Sequence, residues 1–473
     1  MISIPGLVLI DDNEEELKDI SSAFTKAAVP CLAVKFENNS DSNISGIDHI
    51  EFENMEPRVI ITDLNLREMS GSSPQELFQP IAQMLEHINP SKPYVLFFWS
   101  KHDSEIDDVM SLIIQRCSDD FLLPLEYGVI KKSEFKGEEN LELLHNKVKA
   151  LFEETPLFNA LYNWENRVSA SAAETSLALN NLAKDAAGAE PNLILDNLKN
   201  ILSKIGNEAV GQKNAKKIPN LAVDLGLGPV LQDRLNLISK ENNLWSLALL
   251  DIGEKVNLEE ETKAQLNSFF HSELVVEDYP KNNKGVFVEL EGRLIKDKDH
   301  REKFERKIGI EIKSLLCEEF ISPCSNLKDK TKDERTIFKQ DACDSVTLGF
   351  VEISADCDQA QGKVKLNRYL LAALIPIEYK DATIFNRGGG FTSYTSHEGI
   401  YRAPELCIDG EKYILKLSFK YQFGTVPASN VHGIEYSNSW LSKPKFRLKE
   451  QILNEIIFKC SQYASRPGII GFF

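Results

Sequence analysis

Five side chains in the first 150 residues have types and positions that suit phosphoryl chemistry. Asp11 and Asp12 directly follow the apolar run Leu7–Ile10, and Asp63 directly follows Val59–Thr62. Ser100 follows the run Tyr94–Trp99, and Lys132 follows the run that begins at Tyr127. Moving a phosphoryl group onto a carboxylate gathers several negative charges in one place. A divalent cation offsets them, and Mg2+ is usually held by one or two carboxylates plus water and phosphate oxygens. On this pattern Asp63 is the acceptor, and Asp11, Asp12 and Asp63 supply carboxylates to Mg2+. The backbone carbonyl of Asn65, two residues past Asp63, can add an oxygen. Ser100 offers a hydroxyl to the new phosphate and Lys132 offers a cation to its oxygens. Lys131 is an alternative for that last role.

Residues so far apart meet only if each run is a strand of one sheet. Continuous apolar runs that alternate with amphipathic helical stretches predict a parallel sheet covered on both faces. Over residues 14–28, Leu17, Ile20, Ala23 and Phe24 share a helical face, and residues 31–36 supply a further strand. Five βα units are expected. In such a sheet the carboxyl ends of the strands border one crevice, where ligands bind.

The segments LVLIDDN, VIITDLNL, FFWS and GVIKKS together resemble the receiver domain of two-component response regulators, over residues 5–150. The resemblance implies a flavodoxin-like, doubly wound, five-stranded parallel sheet and phosphorylation of Asp63 by a partner histidine kinase. It implies a phosphoacceptor with at most self-dephosphorylation rather than an enzyme of another kind. The chain departs from the usual pattern in a longer stretch between Asp63 and Ser100 and in the bulky Lys101. It also has Lys132-Ser133 where Lys-Pro is usual, and Val129 where an aromatic residue often lies. The last departure bears on coupling to a downstream element, not on the acceptor itself.

Residues 151–270 read as a helical middle region. The stretch 157–184 reads as one helix with an Ala/Leu face, open to homodimer contact or to packing within the region. Gly226, Gly228 and Pro229 read as interruptions between later helices. Residues 271–473 read as an α+β domain. VFVELEGRLI, VTLGFVEIS, YLLAALIPI, PELCIDGEKYILKLSFKYQF and RPGIIGFF are strand-like, Asp409-Gly410 signals a hairpin, and 444–464 reads as a helix.

No P-loop, GxSxG, HExxH or zinc spacing follows the first region. Cys357, between Asp356 and Asp358, could be a nucleophile with His397 or His432, or a metal ligand. Flanking carboxylates disfavour a thiolate, and a turn with a buried cysteine is the plainer reading. Gly388-Gly389-Gly390 after Arg387 reads as a loop before it reads as an anion cradle. The formal net charge of −18, without a long basic run, opposes nucleic-acid binding. No stretch reaches the roughly 18 apolar residues of a membrane span. Eight cysteines without a CxxC pair, and no leader segment, suggest reduced thiols and a cytoplasmic location.

The layout carries a second resemblance, on the WENR helix after the receiver, ISADCDQAQ and the terminal SRPGI. It is similar to the receiver proteins of Detocs-type anti-phage phosphorelays. That likeness implies a buffering member that draws phosphoryl groups away from a second response regulator. The alternative is an effector whose receiver gates an enzymatic domain around Cys357.

Overall fold

A computed structural model describes residues 6–26, 29–36, 47, 50, 52, 57–67, 73–100, 104–131, 146, 150, 155–188, 190–238, 244–354, 359, 366–387, 390–392, 399–425 and 441–465. The chain divides into two compact units, Met1–Leu198 with Leu227–Lys255, and Lys199–Gly226 with Val256–Phe473.

The first unit opens with β1 (Leu7–Asp11), α1 (Glu14–Lys26), β2 (Cys31–Lys35), β3 (Val59–Asp63), α2 (Pro74–Ile88), β4 (Val95–Ser100), α3 (Ile106–Cys117) and β5 (Glu126–Lys131). All strand pairs are parallel, in the order β2-β1-β3-β4-β5, which is the expected doubly wound arrangement. β1, β3 and β4 are buried along their whole length, as continuous apolar strands covered on both faces should be.

Each face has its own core. On one side α2 and α3 set Ile81, Met84, Leu85, Val109, Met110 and Ile113 against Val8, Ile60, Leu96 and Phe98. On the other side α1 sets Leu17, Ile20 and Phe24 against Leu7, Leu9, Ile61 and Phe97. α2 starts where the Ser73 N–H donates to Glu76 Oε2 at 2.8 Å, with Pro74 pre-set for the first turn.

The 157–184 reading is confirmed and extended: α4 runs unbroken over Pro156–Ala187. Its first turns belong to the sheet's second core, where Phe158 is 0% exposed and Tyr162 is also buried. Helices α5 (Ile194–Val210), α6 (Pro219–Ile238) and α7 (Glu260–His271) follow. The expected interruption at Gly226, Gly228 and Pro229 does not occur, because all three lie within α6. Gly226 serves packing instead: a Cβ there would lie 2.3 Å from Ile205 Cγ2. Pro229 removes one backbone donor, which bends a helix more readily than it ends one when both sides carry on.

The second unit is built on an antiparallel sheet of β6 (Ser272–Leu274), β7 (Val286–Leu290), β8 (Thr347–Glu352), β9 (Asn367–Pro376), β12 (Ile400–Arg402), β13 (Leu406–Ile408), β14 (Glu411–Thr425) and β15 (Leu441–Leu448). Its order is β12-β14-β9-β8-β7-β15-β6, with β13 also paired to β14. A two-stranded ribbon joins β10 (Phe385–Arg387) to β11 (Gly390–Thr392). The hairpin expected at Asp409-Gly410 joins β13 to β14, and both turn residues have positive φ (53° and 81°).

One sheet face is covered by the segment around Ile312–Phe320 and by α8 (Lys332–Ser345). The other is covered by α9 (Glu450–Ala464), through Ile452, Leu453, Ile456 and Cys460. Two boundaries differ from the sequence reading. Arg293–Lys296 is a short helix rather than the end of a strand, and 444–448 belongs to β15 rather than to the helix that follows. RPGIIGFF lies outside the described residues. No described helix is long and apolar enough to cross a membrane.

Candidate functional site

β1 and β3 are neighbours and end together, which sets Asp11 and Asp63 side by side as the last residue of each strand. Asp11 is 0% exposed, and its Oδ1 accepts the Asn13 N–H at 2.8 Å. Asn13 then caps α1: its Oδ1 accepts the N–H groups of Glu15 at 3.0 Å and Glu16 at 3.2 Å. This places Glu16 in the first turn of α1. Helical side chains lean toward the N-terminus, so Glu16 reaches back over the strand ends.

The result is a close triplet. One carboxylate oxygen each from Asp11, Glu16 and Asp63 lies within 4.8 Å of the others. Asp12 is half-buried in the turn and is not one of the three. Asn65 is half-buried two residues beyond Asp63. Ser100 ends β4, the next strand, and is 4% exposed. The β3–β4 register pairs Asp63 with Trp99, so Ser100 stands one residue past the level of Asp63. Lys131 ends β5 opposite Ser100. Lys132 lies outside the described residues, as do Cys357, His397 and His432.

The sequence reading therefore named two of the three close carboxylates and missed Glu16. The available signal was Asn13, whose capping role fixes the helix start and hence which acid of Glu14-Glu15-Glu16 turns inward.

Three carboxylates this close repel one another unless a cation or protons intervene. All three donors are hard oxygens, a set that suits Mg2+, Mn2+ or Ca2+ rather than zinc or copper. The parallel sheet with this acidic cluster at its strand ends is compatible with a receiver-like fold. A scan against models of protein families finds no match for this chain, and a search of curated proteins finds none either.

Proposed function

We propose that the first unit is a phosphoacceptor domain in which Asp63 takes a phosphoryl group from a partner histidine kinase. The observation that supports it most is the meeting of Asp11, Glu16 and Asp63 at the carboxyl ends of adjacent parallel strands, one strand away from Ser100. In the reaction an Asp63 carboxylate oxygen bonds to phosphorus as the phosphorus–nitrogen bond of the donor breaks. The leaving imidazole nitrogen keeps the electron pair and takes up a proton.

Asp11, Glu16 and Asp63 would hold a divalent cation, with Asp12 and the Asn65 carbonyl as further proposed contributors. Bound there, Mg2+ would offset the charge that builds up as the anionic donor approaches. Ser100, at the end of the neighbouring strand, is proposed to donate its hydroxyl to the acquired phosphoryl group, and Lys132 to pair with its oxygens. The reading extends to a phosphate sink, in which the chain draws phosphoryl groups from a kinase shared with a second response regulator.

The test is incubation of the full chain with Mg2+ and acetyl phosphate, read by intact mass. One hydroxylamine-labile phosphoryl adduct is expected on the wild type and none on Asp63→Asn. An adduct that persists in Asp63→Asn, or its absence from the wild type, overturns the proposal.

A further inference from the structure

The second unit brings together two cysteines that no sequence motif connects. Cys317 and Cys343 are 26 positions apart, yet their Sγ atoms lie 3.9 Å from each other. Cys317 sits in a single π-turn, Leu316–Phe320, and Cys343 lies in the last turn of α8. Both are half-buried rather than fully enclosed. Cys324, in the same core, is 0% exposed and is shielded. Lys339, one turn before Cys343, only partly offsets the burial that disfavours a thiolate there.

We propose that Cys317 and Cys343 form a reversible redox pair that closes to a disulfide on exposure to a low-molecular-weight disulfide. The pair does not depend on phosphoryl chemistry at Asp63. Burial and the neighbouring Cys317 push the Cys343 thiol up to about 12, which disfavours Cys343 as the attacker. The Cys317 thiolate attacks one sulfur of the oxidant, its S–S bond breaks, and one small thiol departs carrying the proton that Cys317 released. The Cys343 sulfur then displaces the second small thiol from Cys317, which departs with the Cys343 proton. Two protein thiols are oxidised and one small disulfide is reduced to two thiols.

The sulfurs must close to about 2.05 Å, and a π-turn is the type of helical irregularity that accumulates at functional sites. The same turn carries Glu319, which accepts from Ser418 Oγ at 3.0 Å and Lys420 Nζ at 2.7 Å. The carbonyl of Phe320 accepts from Lys416 Nζ at 2.9 Å. A bridge from Cys317 to Cys343 therefore fastens α8 to β14 through that turn.

The test uses the full chain, freed of reductant and incubated with glutathione disulfide, followed by intact mass and peptide mapping. A loss of two hydrogens is expected, with one linked peptide pair holding Cys317 and Cys343, reversed by dithiothreitol. Cys317→Ser should block the bridge. Cys343→Ser, or Cys343→Ala if the serine variant fails to fold, should stop at a glutathione adduct on Cys317. Free thiols at both positions after treatment, separate adducts on each, or a bridge to any other cysteine would overturn the proposal.

Discussion

Arg58 and Glu165 tie the start of a central strand to the long helix that follows the sheet. Arg58 Nη2 donates to Glu165 Oε1 at 3.1 Å and Nη1 donates to Oε2, while Nε donates to the Pro93 carbonyl at 2.7 Å. Arg58 is 5% exposed, and its guanidinium lies 5.8 Å from the Phe158 ring centre and 5.6 Å from that of Tyr162. Removing one partner of a buried pair strands the other, at about 3–5 kcal/mol. Glu165 is partly exposed and can rehydrate, so Arg58→Ala should lie near 3 kcal/mol, the low end of that range. Glu165→Gln keeps one acceptor and should cost about 1 kcal/mol. Urea unfolding followed by circular dichroism separates the two.

Glu16 should matter to cation binding although it belongs to no strand. Losing one of three clustered charges in Glu16→Gln is expected to weaken Mg2+ affinity about tenfold. Trp99, paired in register with Asp63, gives the readout as a fluorescence titration. Unchanged affinity would remove Glu16 from the ligand set.

Two buried groups should give the second unit a two-part pH profile. Burial raises Glu352 to about 7, while hydrogen bonds from Ser354 and Gln359 only partly oppose the rise. Its folded pKa exceeds its unfolded value, so the folded state holds an extra proton between about pH 4.5 and 7 and loses stability as pH rises through that window. Glu352→Gln should flatten that limb and add on the order of 2–3 kcal/mol at pH 8. Lys416 behaves in the opposite way. Burial, helped by Arg402, lowers it to about 7, so stability is gained as pH rises from about 7 toward 10.5. Lys416→Met should erase that second limb, as read by unfolding midpoints across the pH range.

Gly349 should not tolerate even one added carbon. A Cβ would lie 2.5 Å from Phe287 Cζ and 2.6 Å from the Val288 carbonyl oxygen, both within the sheet. Gly349→Ala is expected to cost about 2–3 kcal/mol through overpacking, with a lowered melting midpoint of the second unit.

The parallel sheet was legible because its central strands are buried on both faces and so read as unbroken apolar runs. Asp11, Asp63 and Ser100 were legible because they end those runs. Glu16 was not, since its direction depends on a cap and on helical side-chain tilt rather than on strand ends. The antiparallel sheet was half legible. The Asp409-Gly410 turn announced the β13–β14 hairpin, but β6 and β12 have three residues each and are defined by their partners, not by pattern. Cys317 and Cys343 meet only through the packing of a π-turn on a helix, which no local spacing encodes. Gly226 was misread because a glycine that admits a neighbour looks, in sequence, like one that ends a helix.

The burial of Phe158 and Tyr162 among Leu7, Leu9 and Phe97 has a consequence for modularity. The helix that leaves the sheet is also its floor. A fragment that stopped short of Pro156 would open an oily surface to solvent and would clump rather than fold cleanly. Grafting this sheet onto another protein would have to carry at least the opening turns of that helix with it. The sheet and those opening turns therefore form one folding piece.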